Sequence, residues 1–244
     1  MDKDILIDRV GQMIAEGADI IDLGAMSTRP GADVVSVEEE VARLLPAVEI
    51  VRKNYPELWI SVDTWRGEVL KQVAPFNIDI VNDVSGGKFD KGLLRIVGEL
   101  KLPYILMHMP GELNTMHEKS ENVDIIHEVS VYFHEKVLQL NENGIWDIIL
   151  DPGFGFGKTI LQNYQLLGHL DHFDFFGLPS LVGISRKSMI QKVIVRGPEE
   201  ALNGTTALHM IALQKGASIL RVHDVKEAKE AILLHQQLSE FASS

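Results

Sequence analysis

Short apolar, β-branched runs alternate with stretches of helical periodicity from one end of the chain to the other. The runs are ADIIDLG (18–24), LWISVD (58–63), DIVNDV (79–84), PYILMH (103–108), DIILD (147–151), SLVGIS (180–185) and ASILRV (217–222). They are nearly continuously apolar, the pattern of strands buried on both faces of a parallel sheet. Helical patterns fill the intervals at roughly 3–16, 37–54, 66–75, 90–101, 122–143, 161–173, 200–215 and 225–241. Seven strands and eight helices, opening on a helix, predict an α/β fold of the TIM (β/α)8 barrel type whose first strand lies upstream of Met1. The competing topologies are a seven-stranded open doubly wound sheet and a barrel whose eighth strand is supplied irregularly. No Pro/Gly/Ser-rich linker breaks the series, so 1–244 reads as a single domain.

In a barrel the reactive groups gather at the C-terminal ends of the strands. Those ends carry, in order, Asp22 with the loop GAMSTRPGA, Asp63 with Thr64, Asn82 with Asp83, MHM (107–109), Asp151, SRKS (185–188) and RVHD (221–224). An aspartate after a strand is more often a helix cap or turn residue than a catalyst, which is the plainer account of Asp22, Asp83 or Asp224 taken singly. Polar ends above apolar interiors on every strand are better explained by one shared pocket. Asp63, Asn82 and Asp151 offer acceptors suited to a flat heterocycle rich in N–H groups, with Lys187 available for a ring carbonyl or nitrogen. Arg221 and His223 lie two apart on one strand and so share a face. With Arg29 they suit a phosphate or pyrophosphate. The alternative for that pair is an ion pair with Asp224 or a neighbour.

The stretch DPGFGFGKT (151–159) nearly spells a nucleotide-binding P-loop, but proline stands where the first glycine is needed. Here Pro152 fixes the turn, Gly153, Gly155 and Gly157 allow close backbone approach, and Phe154 and Phe156 can form an aromatic wall. The loop reads as one built for a ligand other than a nucleotide phosphate.

Composition narrows the partners. Lys plus Arg number 23 against 35 Asp plus Glu, for a net charge of −12. That surface repels nucleic acid and anionic membranes, so an anionic ligand must meet a local cluster of cations. With no cysteine, disulfides, thiolate nucleophiles and Cys-based zinc sites are excluded. No apolar run approaches the ~20 residues of a membrane span, and the opening MDKDILIDRVGQMIAEG reads as an amphipathic helix rather than a signal peptide. The expectation is a soluble, cytoplasmic enzyme of small molecules.

The chain resembles the dihydropteroate synthases, folate-pathway enzymes of the pterin-binding TIM-barrel superfamily. The resemblance rests on GADIIDLGAMSTRPGA (17–32), ISVDT (60–64), IVNDVSGG (80–87), PYILMHM (103–109), IILDPGFGFGKT (148–159), LVGISRKS (181–188) and ILRVHDVKEA (219–228), in family order. It implies transfer of the pterin methylene of 6-hydroxymethyl-7,8-dihydropterin pyrophosphate to p-aminobenzoate, with Mg²⁺ assisting pyrophosphate. It also implies pterin contacts from Asp63, Asn82, Met107, Asp151, Gly183 and Lys187, and pyrophosphate contacts from Arg221, His223 and Arg29. A p-aminobenzoate pocket follows from Thr28, Arg29, Pro30, Phe156, Lys187 and Ser188, the place where sulfonamides compete in relatives. Lys187, Arg221, Asp63 and Asp151 would carry the chemistry. A homodimer through late helices is implied by the family alone.

Family members carry an N-V-T-P-D-S-F motif on the first strand, whose Asn takes part in metal–pyrophosphate binding. No such stretch precedes Asp2, so the metal ligands cannot be named on this chain. Met26 and Pro110 also depart from common family residues. Two other readings stay open: a pterin-binding methyltransferase, and a barrel that binds pterin without turnover. The pairs His127/His134 and His169/His172 sit at helical spacings but read as solvated surface rather than metal sites.

Overall fold

The computed structural model describes residues 3–26, 35–111 and 124–242. The chain forms two compact units, Met1–Leu106 with Lys136–Ile148, and Met107–Glu135 with Ile149–Ser244. The elements run α1 (Lys3–Ala15), β1 (Ile20–Gly24), α2 (Val37–Asn54), β2 (Trp59–Asp63), α3 (Gly67–Val73), β3 (Ile80–Asp83), α4 (Leu93–Leu100), β4 (Tyr104–Met107), α5 (Ile125–Glu142), β5 (Ile148–Asp151), α6 (Ile160–Gly168), β6 (Leu181–Val182), α7 (Ser188–Ile194), α8 (Leu202–Gln214), β7 (Ile219–Leu220) and α9 (Val225–Ala242). Each of the seven expected apolar runs holds a strand. Five hydrogen-bond in the order β1-β2-β3-β4-β5, and β6 pairs with β7.

In the first unit β1, β2, β3 and β4 are parallel neighbours, in registers that set Gly24 beside Asp63 and Asp63 beside Asn82. Ile60, Val62, Val81, Tyr104 and Leu106 are wholly buried. Strands covered on both faces have no solvated side to alternate toward, which is why their sequence is apolar throughout. The entry side of β2 and β3 is fastened by Arg52 of α2. Its guanidinium donates to the carbonyls of Pro56, Leu58 and Asn77 and to Asp79 Oδ2 at 2.6 Å.

In the second unit β6 pairs parallel with β7, Leu181 opposite Ile219, and Leu150 of β5 bridges Ser180. The wholly buried Phe133 meets Phe173 edge-on, with ring centroids 5.5 Å apart. α6 begins at a reciprocal cap between Thr159 and Gln162 and stops at Gly168. The helical pattern continues to 173, but the chain there tightens into a 3₁₀ stretch, Leu170–Phe176. The short α7 was not foreseen. It starts at Ser188, within the SRKS stretch read as a strand end, and buries Met189 and Ile190. Among the described residues no helix is long and apolar enough to cross a membrane.

Candidate active site

In the first unit, the C-terminal ends of β1 to β3 bring three polar side chains together. Asn82 is buried and its amide donates to Asp22 Oδ2 at 3.0 Å. Asp63 lies in register beside Asn82 at the end of β2. Asp22 thus pairs with Asn82 across the strand ends and caps no helix in that contact. The end of β2 is locked from behind. Thr64 donates its backbone N–H to the Asn82 carbonyl at 3.1 Å and its hydroxyl to Glu40 at 2.6 Å. Glu40, wholly buried on α2, also takes Arg66 at 2.9 Å, and Arg66 reaches the Val35 carbonyl. A buried carboxylate is tolerable there because charge and hydrogen bonds both meet it.

Asp83 follows Asn82 and points the other way, as strand periodicity requires. It accepts the N–H groups of Ser85 and Gly87 at 2.7 Å each and the Tyr104 hydroxyl at 2.6 Å. Burial raises its pKa, against the pull of those hydrogen bonds. Asp83 is a turn residue.

The second unit holds a charged cluster of its own. Asp151 ends β5 buried, and its Oδ1 accepts the Gly153 N–H at 2.7 Å. Burial raises its pKa, opposed by Lys187 first, then by the Gly153 N–H, Lys158 and Arg221. The glycine loop that follows could not be built with other residues. Gly153 has φ of 70°, and a Cβ there would stand 2.0 Å from the His108 carbonyl oxygen. Lys158 is 6% exposed and donates to the carbonyls of Gly153, His108 and Phe156 at 2.8, 3.1 and 3.2 Å. The lysine of the P-loop look-alike therefore turns inward and braces its own loop. Asn163 of α6 adds a further tie, accepting the Gly155 N–H at 2.7 Å.

Lys187 donates to the Phe154 carbonyl at 2.5 Å and lies 4.9 Å from the centre of the Phe156 ring. Burial lowers its pKa to about 8; Asp151 acts against that shift and Arg221 adds to it. Gly183 lies between Lys187 and Arg221, since a Cβ there would be 3.9 Å from Lys187 Nζ and 3.8 Å from Arg221 Cβ. The ends of β6 and β7 are cross-linked twice. Ser185 Oγ lies 3.1 Å from His223 Nδ1 and accepts the His223 backbone N–H at 3.2 Å. Arg186 grips Asp224 with two bonds of 2.8 Å. Asp224 is thus held by Arg186, and His223 adds to the lowering of its pKa.

Met107 is buried, with its carbonyl taken by Tyr132 at 2.9 Å, and Ser188 stands exposed at the start of α7. Thr28, Arg29 and Pro30 lie outside the described residues. Sequence reasoning did not single out Lys158, Ser185 or Arg186 as braces of these strand ends. Each sat inside a segment already singled out, but residue type alone did not separate a brace from a contact. Among the described residues no group of three or more His, Asp or Glu could hold a metal ion. His127, His134, His169 and His172 are exposed.

A family profile described as pterin binding enzyme matches residues 1–223. The chain is 47% identical over 232 residues to the dihydropteroate synthase of Escherichia coli K12, spanning 93% of this chain and 82% of that one. The chain belongs to the dihydropteroate synthase family. Its chemistry is that of a transferase in folate biosynthesis. The structure matches the Yersinia pestis dihydropteroate synthase solved with a sulfonamide drug complex, with a TM-score of 0.94 at 36% identity, over 98% of this chain and 87% of that one. The Xanthomonas albilineans enzyme solved with 4-aminobenzoic acid matches with a TM-score of 0.90 at 36% identity, over 97% and 85%. The parallel-stranded α/β fold is therefore of the TIM-barrel class expected from the alternating pattern.

Proposed function

We propose that the chain, acting as one pterin-binding domain, joins 6-hydroxymethyl-7,8-dihydropterin pyrophosphate to p-aminobenzoate and releases pyrophosphate. The observation that carries this reading is the charge arrangement around Asp151: a buried carboxylate faced by Lys187, with Arg221 beside that lysine across Gly183. A buried acid beside a lysine suits a pterin ring that offers both N–H donors and a carbonyl. An arginine one strand on suits an anion that gains charge as it leaves.

In this reading Asp63, Asn82, Met107, Asp151, Gly183 and Lys187 hold the pterin. Arg221 and His223, with Arg29, take the pyrophosphate. Thr28, Arg29, Pro30, Phe156, Lys187 and Ser188 shape the p-aminobenzoate pocket. Departure of pyrophosphate leaves positive charge on the pterin methylene, which ionised Asp63 and Asp151 stabilise before the arylamine adds. No covalent enzyme intermediate is required.

The described residues do not by themselves fit a metal site. Mg²⁺ usually binds one or two protein oxygens together with substrate phosphates, so its proposed place is on the pyrophosphate, and the steps above belong to the chain's own groups. The cytoplasm is proposed from the cysteine-free sequence. A homodimer is proposed from the apolar residues left exposed on α8 and α9, Ile211, Leu233, Leu234, Leu238 and Phe241; sedimentation as a monomer would remove it.

The test of function is pyrophosphate release from the pterin pyrophosphate with Mg²⁺ and p-aminobenzoate, each omitted in turn. Release that needs the arylamine supports the synthase. Pterin binding without release returns a binding-only barrel, and absence of both defeats the reading.

A further inference from the structure

Ser185 is 3% exposed, and among the described residues its hydroxyl has two partners, both on His223: the backbone N–H at 3.2 Å and ring Nδ1 at 3.1 Å. A hydroxyl has one proton to give and two lone pairs to receive with. The backbone N–H can only donate, so it occupies a lone pair of Oγ. If Nδ1 also carried a proton, two donors would face one oxygen and the serine proton would be buried without an acceptor. Buried polar hydrogens are rarely left so. The satisfied arrangement has Oγ–H donating to an unprotonated Nδ1, which places the imidazole proton on Nε2.

We infer that Ser185 is a positioning residue that fixes His223 as the neutral Nε2–H tautomer, giving the anion site an uncharged hydrogen-bond donor beside Arg221. The inference rests on the reading of Arg221 and His223 as the pyrophosphate site. A neutral donor is well suited here. Lys187 already titrates low, at about 8, partly because Arg221 is near, and a third cation would press it lower still. The same hydroxyl ties the end of β6 to the end of β7, so tautomer and ring position are set together.

The experiment has two arms on the full chain. Two-bond ¹H–¹⁵N correlation spectra of ¹⁵N-histidine-labelled protein, without ligand, should show His223 as Nε2–H, and Ser185→Ala should shift it toward a tautomer mixture. Wild-type His223 as Nδ1–H overturns the inference whatever else binds. In the second arm inorganic pyrophosphate is titrated by calorimetry. His223→Gln, whose amide N–H can reach the Nε2 position, should bind within about threefold of wild type. His223→Asn, whose amide reaches only the Nδ1 position, should lose roughly tenfold, as for one hydrogen bond to a charged group. Equal losses in the two variants overturn the role of Nε2–H. No pyrophosphate binding by wild type overturns the anion site itself, a failure the spectra tell apart because they need no ligand.

Discussion

Asp83 and Asp151 have the same local signature and different work. Each closes a parallel strand, each is buried, and each accepts the N–H two residues on at 2.7 Å. Burial raises the pKa of both. They part at what faces the remaining oxygen capacity. Around Asp83 it is the Tyr104 hydroxyl and another backbone N–H, groups that hold a turn and carry no net charge. Around Asp151 it is Lys187, Lys158 and Arg221. A carboxylate satisfied by neutral donors is finished; one facing several cations can exchange part of that field for a substrate. The contrast shows that an aspartate at a strand end is assigned by its neighbours' charge, not by its burial or its turn.

The largest expected effect tests the charged end directly. Lys187→Ala and Arg221→Ala should each lower turnover by about 10³-fold or more, comparable to removing a fixed donor from a transition-state site, with circular dichroism unchanged. Near wild-type rates in either would mean that the cations beside Asp151 are structural, and the comparison would collapse.

Next comes the exchange of the two aspartates for asparagine. Asp151→Asn should cost roughly 10²-fold in kcat/KM with a modest change in melting temperature. Asp83→Asn should leave kcat per folded molecule unchanged and lower stability by about 1–3 kcal/mol, since an amide cannot accept all three of its hydrogen bonds. The reverse pattern in denaturant titrations and steady-state rates would reassign the two residues.

A pH series sharpens the electrostatic half. Lys187 loses its proton as pH rises through about 8, so ligand affinity that needs its charge should fall up to tenfold per unit above that point. Arg221 depresses that pKa and Asp151 supports it. Arg221→Lys, which keeps a charge, should leave the alkaline limb near its wild-type position, Arg221→Ala should move it to higher pH, and Asp151→Asn to lower pH. A limb that ignores both residues would separate Lys187 from the cluster.

The effect furthest from the charged cluster concerns stability within the same unit. His209 is buried, its Nε2 has no hydrogen-bond partner among the described residues, and burial pushes its pKa down to about 4. The unfolded chain, with the ordinary value of 6.5, then binds the extra proton between those limits. Stability is full above the unfolded value and falls as pH drops from 6.5 toward 4, by up to about 3 kcal/mol. Replacing His209 with Leu should flatten that part of the acid limb in urea titrations, and an unchanged slope would show that the ring is solvated.

Much of this was legible in the sequence because the determinants are local. Seven apolar runs gave seven strands, since a strand covered on both faces has no polar side to show. The pairing of Asp63 with Asn82 and the facing of Asp151 by Lys187 and Arg221 follow from polar residues placed at strand ends, which the sequence marks one by one. Helix α7 was not legible, because it begins at Ser188 within SRKS, a stretch read as a strand end. The inward turn of Lys158 was hidden as well, because a lysine after a glycine run looks the same whether it meets phosphate or the carbonyls of Gly153, Phe156 and His108.

The sequence by itself therefore determined which residues are polar at the strand ends. Only the tertiary structure decided how those residues divide their work: Asp224 to Arg186, Ser185 to His223, Asp22 to Asn82, and Asp151 to the lysines. The reason is physical. Periodicity and burial are properties of a short stretch of chain, whereas the partner of a buried charge or hydroxyl is chosen by residues 30 to 60 positions away, once folding has removed the water that would otherwise have satisfied it.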